Sequence, residues 1–149
     1  MSDKILIASD HAGFELKEKL ERALGALGYA VDDLGTDSAQ STDYADYAHA
    51  LASQISRGDA NRGVLLCGTG LGMSYTANRH AHVRAAVAWN PEIAKLAREH
   101  NDANVLVLPA RFLTEEQGMS ILKTWLDTPF EGGRHARRVE KIEIPNETR

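Results

Sequence analysis

Five short apolar runs punctuate the chain, at 4–8, 29–33, 63–67, 83–88 and 104–108. Most are rich in Val, Ile, Leu or Ala and lack polar alternation. Strands buried on both faces of a parallel sheet have this pattern. Between the runs the period becomes helical. Phe14, Leu16, Leu20, Ala23, Leu24 and Leu27 form one stripe, and Tyr47, Ala48, Leu51, Ala52 and Ile55 a second. Pro91 suits the first turn of a third helix, which carries Ile93, Ala94, Leu96 and Ala97. Thr114 with Gln117 predicts a capping box for a helix through Met119, Leu122, Trp125 and Leu126. The alternation of strand and helix predicts an open, doubly wound α/β domain. No repeat, low-complexity stretch or linker interrupts it, so one domain is expected over 1–149, with a frayed polar tail at 145–149.

Composition narrows the class. A chain of 149 residues can bury on the order of 70% of its unfolded surface, so it needs no disulfide staple. Its single cysteine excludes an intrachain disulfide and fits a reducing compartment. The net charge of -4 argues against a nucleic-acid-coating protein. Met1-Ser2-Asp3-Lys4 leads straight into a short strand, without the long apolar region of a signal peptide. No apolar run approaches the roughly 18 residues of a membrane span. The expected location is the cytoplasm. No spacing resembles a zinc or calcium site, so neither a metal nor a cofactor is expected.

In doubly wound sheets, ligands bind at the carboxyl ends of the strands. The first strand is followed there by Ser9-Asp10-His11-Ala12-Gly13, and the third by Cys67-Gly68-Thr69-Gly70-Leu71-Gly72. The fourth is followed by Trp89-Asn90-Pro91 and the fifth by Pro109-Ala110-Arg111. Alternating glycines at a strand-to-helix junction suit an anion nest of backbone N–H groups, or merely a tight turn. Cys67 is a nucleophile or base in one view and a buried structural thiol in the other. Asp10 and His11 suit a sugar hydroxyl and a phosphate, or Asp10 is an N-cap. His100 can relay protons or lie solvated at a helix end. Arg134 and Arg138, four apart in a basic stretch, suit a phosphate or form a solvated helix face.

Taken together, these segments resemble the type B ribose-5-phosphate isomerases, in the wider family that includes galactose-6-phosphate isomerase. The similarity also covers Gly35-Thr36, Thr42-Asp43-Tyr44, Asn78, His100-Asn101-Asp102-Ala103-Asn104-Val105 and Phe130-Glu131-Gly132-Gly133-Arg134-His135 through Arg138-Val139. The resemblance implies a three-layer α/β/α Rossmann-like domain with a five-stranded parallel sheet. It implies a homodimer or larger assembly with the active site at the interface, reached by a C-terminal helix at about 133–143. The implied reaction interconverts ribose 5-phosphate and ribulose 5-phosphate through an enediolate, without a cofactor.

By the same resemblance, Cys67 is the base between C1 and C2, and Thr69 with the 68–72 amides stabilises the enediolate oxygen. His100 opens the furanose, assisted by Asp10 and Asp43. Asn101 holds a sugar hydroxyl, while His11, Arg111, Arg134 and Arg138 hold the phosphate. Tyr44, Gly68, Gly70, Leu71 and Gly72 complete the substrate contacts. The chemistry matches the residues: moving a proton α to a carbonyl needs a placed base and fixed dipoles where the oxyanion grows. Tyr75 and Trp89 are bulky enough to alter which sugar fits, so allose 6-phosphate, galactose 6-phosphate or a tetrose phosphate stand as alternative substrates. A non-catalytic phosphate-ligand-binding module is a further alternative, as is a non-catalytic partner subunit. Neither would need a thiol in the glycine loop.

Overall fold

The computed structural model describes residues 4–145. Apart from Pro145, the tail expected to fray lies outside the described residues, as do Met1, Ser2 and Asp3. The elements run β1 (Lys4–Ser9), α1 (Phe14–Ala26), β2 (Ala30–Asp33), α2 (Tyr44–Arg57), β3 (Arg62–Cys67), α3 (Leu71–Ala77), β4 (Ala85–Val87), α4 (Pro91–Asn101), β5 (Val105–Pro109), α5 (Glu115–Asp127) and α6 (Arg134–Glu140). The five strands form one parallel sheet in the order β2-β1-β3-β5-β4.

The continuous apolar strands divide their side chains between two cores. Ile5, Ile7, Val64, Leu66, Leu106 and Leu108 face α1, α4 and α5. Leu6, Ala8, Leu65, Cys67, Val105 and Val107 face α2 and α3. Only β1, β3 and β5 have the expected burial on both faces. β2 and β4 are half-exposed and shorter than their apolar runs, because each pairs on one side alone.

The helix punctuation follows local chemistry. Pro91 occupies the first turn of α4, and the Asn90 side chain accepts the Ile93 N–H at 2.9 Å. Thr114 and Gln117 form the capping box at 2.8 and 3.1 Å, an arrangement that stabilises a helix start by about 1 kcal/mol. Trp125 of α5 is buried and donates its indole N–H to the Ala103 carbonyl at 3.2 Å. The first stripe ends early: Leu27 lies beyond α1 and is exposed.

α1 also buries a charge. Lys17 is fully buried, and its ammonium sits 2.5 Å from Asp33 and 3.2 Å from Glu18. Beside it, a hydrogen bond to Asp33, reinforced by burial and the Asp33 charge, pushes the Glu21 carboxyl up to about 7. Burial pushes Asp33 up, but hydrogen bonds from Glu21, Lys17 and the Gly35 N–H outweigh it and hold Asp33 below its usual range.

Candidate functional site

A cleft of about 350 Å³ opens at the carboxyl end of the sheet, lined by Asp10, His11, Tyr44, Cys67, Gly68, Thr69, Gly72, Tyr75 and Arg111 among others. It lies where the chain leaves β1 and β3 for helices on opposite faces, which is where an open α/β sheet parts to admit a ligand.

Each wall residue is held by its neighbours. Cys67 ends β3 and is 4% exposed. The loop behind it turns at Gly70, whose φ of +79° is a left-handed conformation that suits glycine. Thr69 Oγ1 accepts the Leu71 N–H at 3.2 Å, which secures the entry to α3. At Gly72 a Cβ would fall 2.3 Å from the Tyr44 ring, so only a glycine lets that ring close over the loop. The Arg111 N–H donates to the Gly68 carbonyl at 3.0 Å, and its guanidinium lies against Gly68.

Two residues carry double duty. Asp10 is an N-cap, as one sequence view held: its Oδ1 accepts the Ala12 and Gly13 N–H groups at 3.0 and 3.2 Å. It is also a cleft residue. His11 is clamped by Thr42: the Thr42 N–H donates to His11 Nδ1, and the His11 N–H donates to Thr42 Oγ1, both at 3.1 Å. That bond leaves the ring proton on Nε2, available to an acceptor in the cleft.

Of the other expected residues, Asp43 is the exposed N-cap position of α2 and Leu71 is half-exposed at the start of α3. Tyr75 stands in the cleft wall, 64% exposed; Trp89, also exposed, is outside the lining. Thr42 escaped the sequence reading as a functional residue, although its segment was matched. Nothing in its spacing announces a clamp across 31 residues.

His100, Asn101, Arg134 and Arg138 are not in this cleft. α4 runs back along the sheet, so His100 and Asn101 precede β5 at its amino end. The register pairs Gly63 with Val105 and Cys67 with Pro109. Those ends are four residues apart, roughly 13 Å along the strand. α6, with both arginines, packs against α4. There the His100 and His135 rings stack with centroids 4.4 Å apart, and His135 Nε2 lies 3.3 Å from Glu131 Oε1. Arg98 ties the end of α4 to the Asp102 carboxylate at 2.8 Å and the Thr128 carbonyl at 3.1 Å.

Among the described residues, two groups bring metal-ligating atoms within 4.8 Å of one another: His100-Glu131-His135 and Glu18-Glu21-Asp33. Neither suits an ion. The planes of the stacked imidazoles are only 13° apart, so their lone pairs run side by side rather than converging. In the second group the Lys17 ammonium already provides the cation. Elsewhere, His49 Nδ1 and His80 Nε2 lie 2.8 Å apart, and burial, then His49, pushes His80 down. His82 sits beside Glu143, its N–H donating to the carboxylate at 2.9 Å.

Comparison with known proteins matches residues 5–142 to the Ribose/Galactose Isomerase family. The chain is 43% identical to the ribose-5-phosphate isomerase B of Escherichia coli over 139 residues, 93% of each chain. A crystal structure of a ribose 5-phosphate isomerase from Thermotoga maritima superposes with a TM-score of 0.91 at 54% identity, covering 94% of this chain and 97% of that one. A ribose-5-phosphate isomerase B from Mycoplasma genitalium, with ribulose 5-phosphate bound, superposes at 0.90 with 40% identity and 93% of each chain covered.

Proposed function

The chain belongs to the Ribose/Galactose Isomerase family, and from that premise we propose that it interconverts ribose 5-phosphate and ribulose 5-phosphate through an enediolate, with Cys67 as the base. The observation that carries the reading is the placement of Cys67 at a strand end, in one cleft with the glycine loop, His11 and Arg111.

The steps follow from those positions. The phosphate binds His11 Nε2–H and Arg111, far enough from C1 to hold the reacting carbons without touching them. The Cys67 thiolate takes the C2 proton of the open aldose as charge grows on O1, and returns it to C1 once the O2 hydroxyl proton has passed to O1 across the cis-enediolate. Thr69 and the 68–72 amides stabilise the charge that grows on the oxygen. Asp10 and Asp43 assist ring opening. Tyr44, Gly68, Gly70, Leu71 and Gly72 shape the rest of the pocket, and Tyr75 sets sugar length.

His100, the proposed ring-opening acid/base, Asn101, Arg134 and Arg138 act from a second copy of the chain. Two features support this. They sit at the opposite end of the sheet from Cys67. The cleft is flanked by exposed apolar side chains, with Tyr44, Leu71, Tyr75 and Phe112 each at least 44% exposed. A two-fold homodimer would bring each cleft against the other copy's α4–α6 end, with the arginines completing the phosphate site. Among the described residues no helix is long and apolar enough to cross a membrane; we place the enzyme in the cytoplasm, in pentose phosphate metabolism.

The test is an isomerase assay with purified protein across ribose, allose, galactose and erythrose phosphates, read as ratios of kcat/KM. The ribose ester is expected to lead. No turnover of it would sink the proposal; a larger ratio for a six-carbon ester would reassign the substrate.

A further inference from the structure

We infer that Glu131 and His135 form a positioning pair that holds the His100 ring in the orientation from which it opens the furanose; the inference rests on the ring-opening role proposed above for His100.

The geometry around His100 is lopsided. Among the described residues, neither of its ring nitrogens has a hydrogen-bond partner. Its face, by contrast, is covered by His135, with ring planes 13° apart. His135 in turn is immobilised. It is 7% exposed, and its Nε2 lies against the Glu131 carboxylate at 3.3 Å. The backbone ties Glu131 to α4 and closes a local turn before His135. The Glu131 N–H donates to the Glu99 carbonyl at 3.1 Å, and the His135 N–H donates to the Gly132 carbonyl at 3.0 Å. Gly132 and Gly133 have φ of +70° and +54°, so the chain doubles back and sets His135 above Glu131. A substituted residue would resist both conformations. The edge of His100 is therefore left to the substrate, while its plane is fixed by a neighbour that has no reason to touch the sugar.

That division matters for one step. Opening ribose 5-phosphate breaks the bond from C1 to the ring oxygen. A proton leaves the C1 hydroxyl and another arrives at the ring oxygen. A histidine serving either transfer needs its nitrogen about 3 Å from the oxygen and in line with it. A ring free to rotate about its Cβ–Cγ bond would spend most of its time misaligned. Ribulose 5-phosphate does not need the step: with its C5 oxygen esterified, it cannot close a furanose onto C2 and enters open. Exchange of its C1 proton with solvent needs the Cys67 base and the substrate-binding groups but no ring-opening acid/base.

The experiment compares these two reactions in His135→Ala, His135→Phe and Glu131→Gln. One assay is turnover of ribose 5-phosphate. The other is deuterium uptake at C1 of ribulose 5-phosphate in heavy water, followed by NMR. We expect His135→Ala to lower kcat for the aldose about tenfold, the scale of a misplaced acid/base group, with deuterium uptake within about twofold of the unsubstituted protein. His135→Phe, which keeps the stacked face, should recover part of the loss. Glu131→Gln, a change at an exposed side chain, should show the same selective fall and provides the test if the His135 variants do not fold. Equal losses in both reactions, or no loss in either, would overturn the inference. Absence of both reactions in the unsubstituted protein would instead remove the isomerase proposal beneath it.

Discussion

The cleft at the carboxyl end of the sheet and the α4–α6 end opposite it are built by different means. The cleft is a backbone construction. Its residues sit on strand ends whose register is set by the buried sheet, and glycines bring Tyr44 and Arg111 onto the loop. The α4–α6 end is a side-chain construction. His135 stacks on His100 and pairs with Glu131, and Arg98 separately pairs with Asp102 at the tip of a helix. The first resists change because moving it means moving the core. The second can be retuned by single substitutions, which suits the groups proposed to act in another copy.

The largest effect should come from the cleft. Cys67→Ala is expected to lower kcat by roughly a thousandfold or more, as loss of a proton-transfer base does, while phosphate-ester binding by calorimetry persists. Normal turnover would end the base assignment. His100→Ala should cost about a hundredfold on ribose 5-phosphate, and less on C1 exchange of ribulose 5-phosphate. The two lesions should complement. After subunit exchange between the Cys67→Ala and His100→Ala proteins, half of a statistical mixture is heterodimer with one intact site, so about a quarter of full activity should return. No recovery, with exchange verified by mass spectrometry, would place both halves in one chain.

Arg134→Ala should separate the halves by kinetics. It should raise KM about tenfold, with kcat changed less, since a phosphate contact removed from the reacting carbons acts mainly on binding. An equal fall in kcat with KM untouched would refute that role.

The smallest effect lies outside both regions. Glu21 titrates near 7 in the folded chain, above its ordinary 4.5. The folded state therefore holds a proton that the unfolded state has lost, and this group's contribution to stability declines as pH rises from about 4.5 to about 7. Glu21→Gln should flatten that decline and gain roughly 1 kcal/mol at pH 8 in urea unfolding, with isomerase activity unchanged. A steeper decline in the variant would contradict the placement of Glu21 beside Asp33.

The difference between the two regions also separates what could be read early from what could not. The strands β1, β3 and β5, the stripes of α2 and α5 and the capping box at Thr114 are local patterns, legible because burial and capping act within a few residues. The glycine loop was legible for the same reason: a strand, a cysteine and alternating glycines are contiguous. Lys17 was not. It lies in an α1 stretch that looks amphipathic, and only the arrival of Asp33 from β2 makes its burial tolerable. The short edges β2 and β4 were overestimated, because apolar content does not say whether a strand has one neighbour or two.

What the sequence determined by itself was the fold class, the order of elements and the chemistry available at each strand end, since these depend on periodicity and residue type. Only the tertiary structure decided that Thr42 clamps His11, that His135 covers His100 and that Cys67 and His100 lie at opposite ends of one sheet. Those relations join residues tens of positions apart, and they exist only where packed helices and a fixed strand register bring them together.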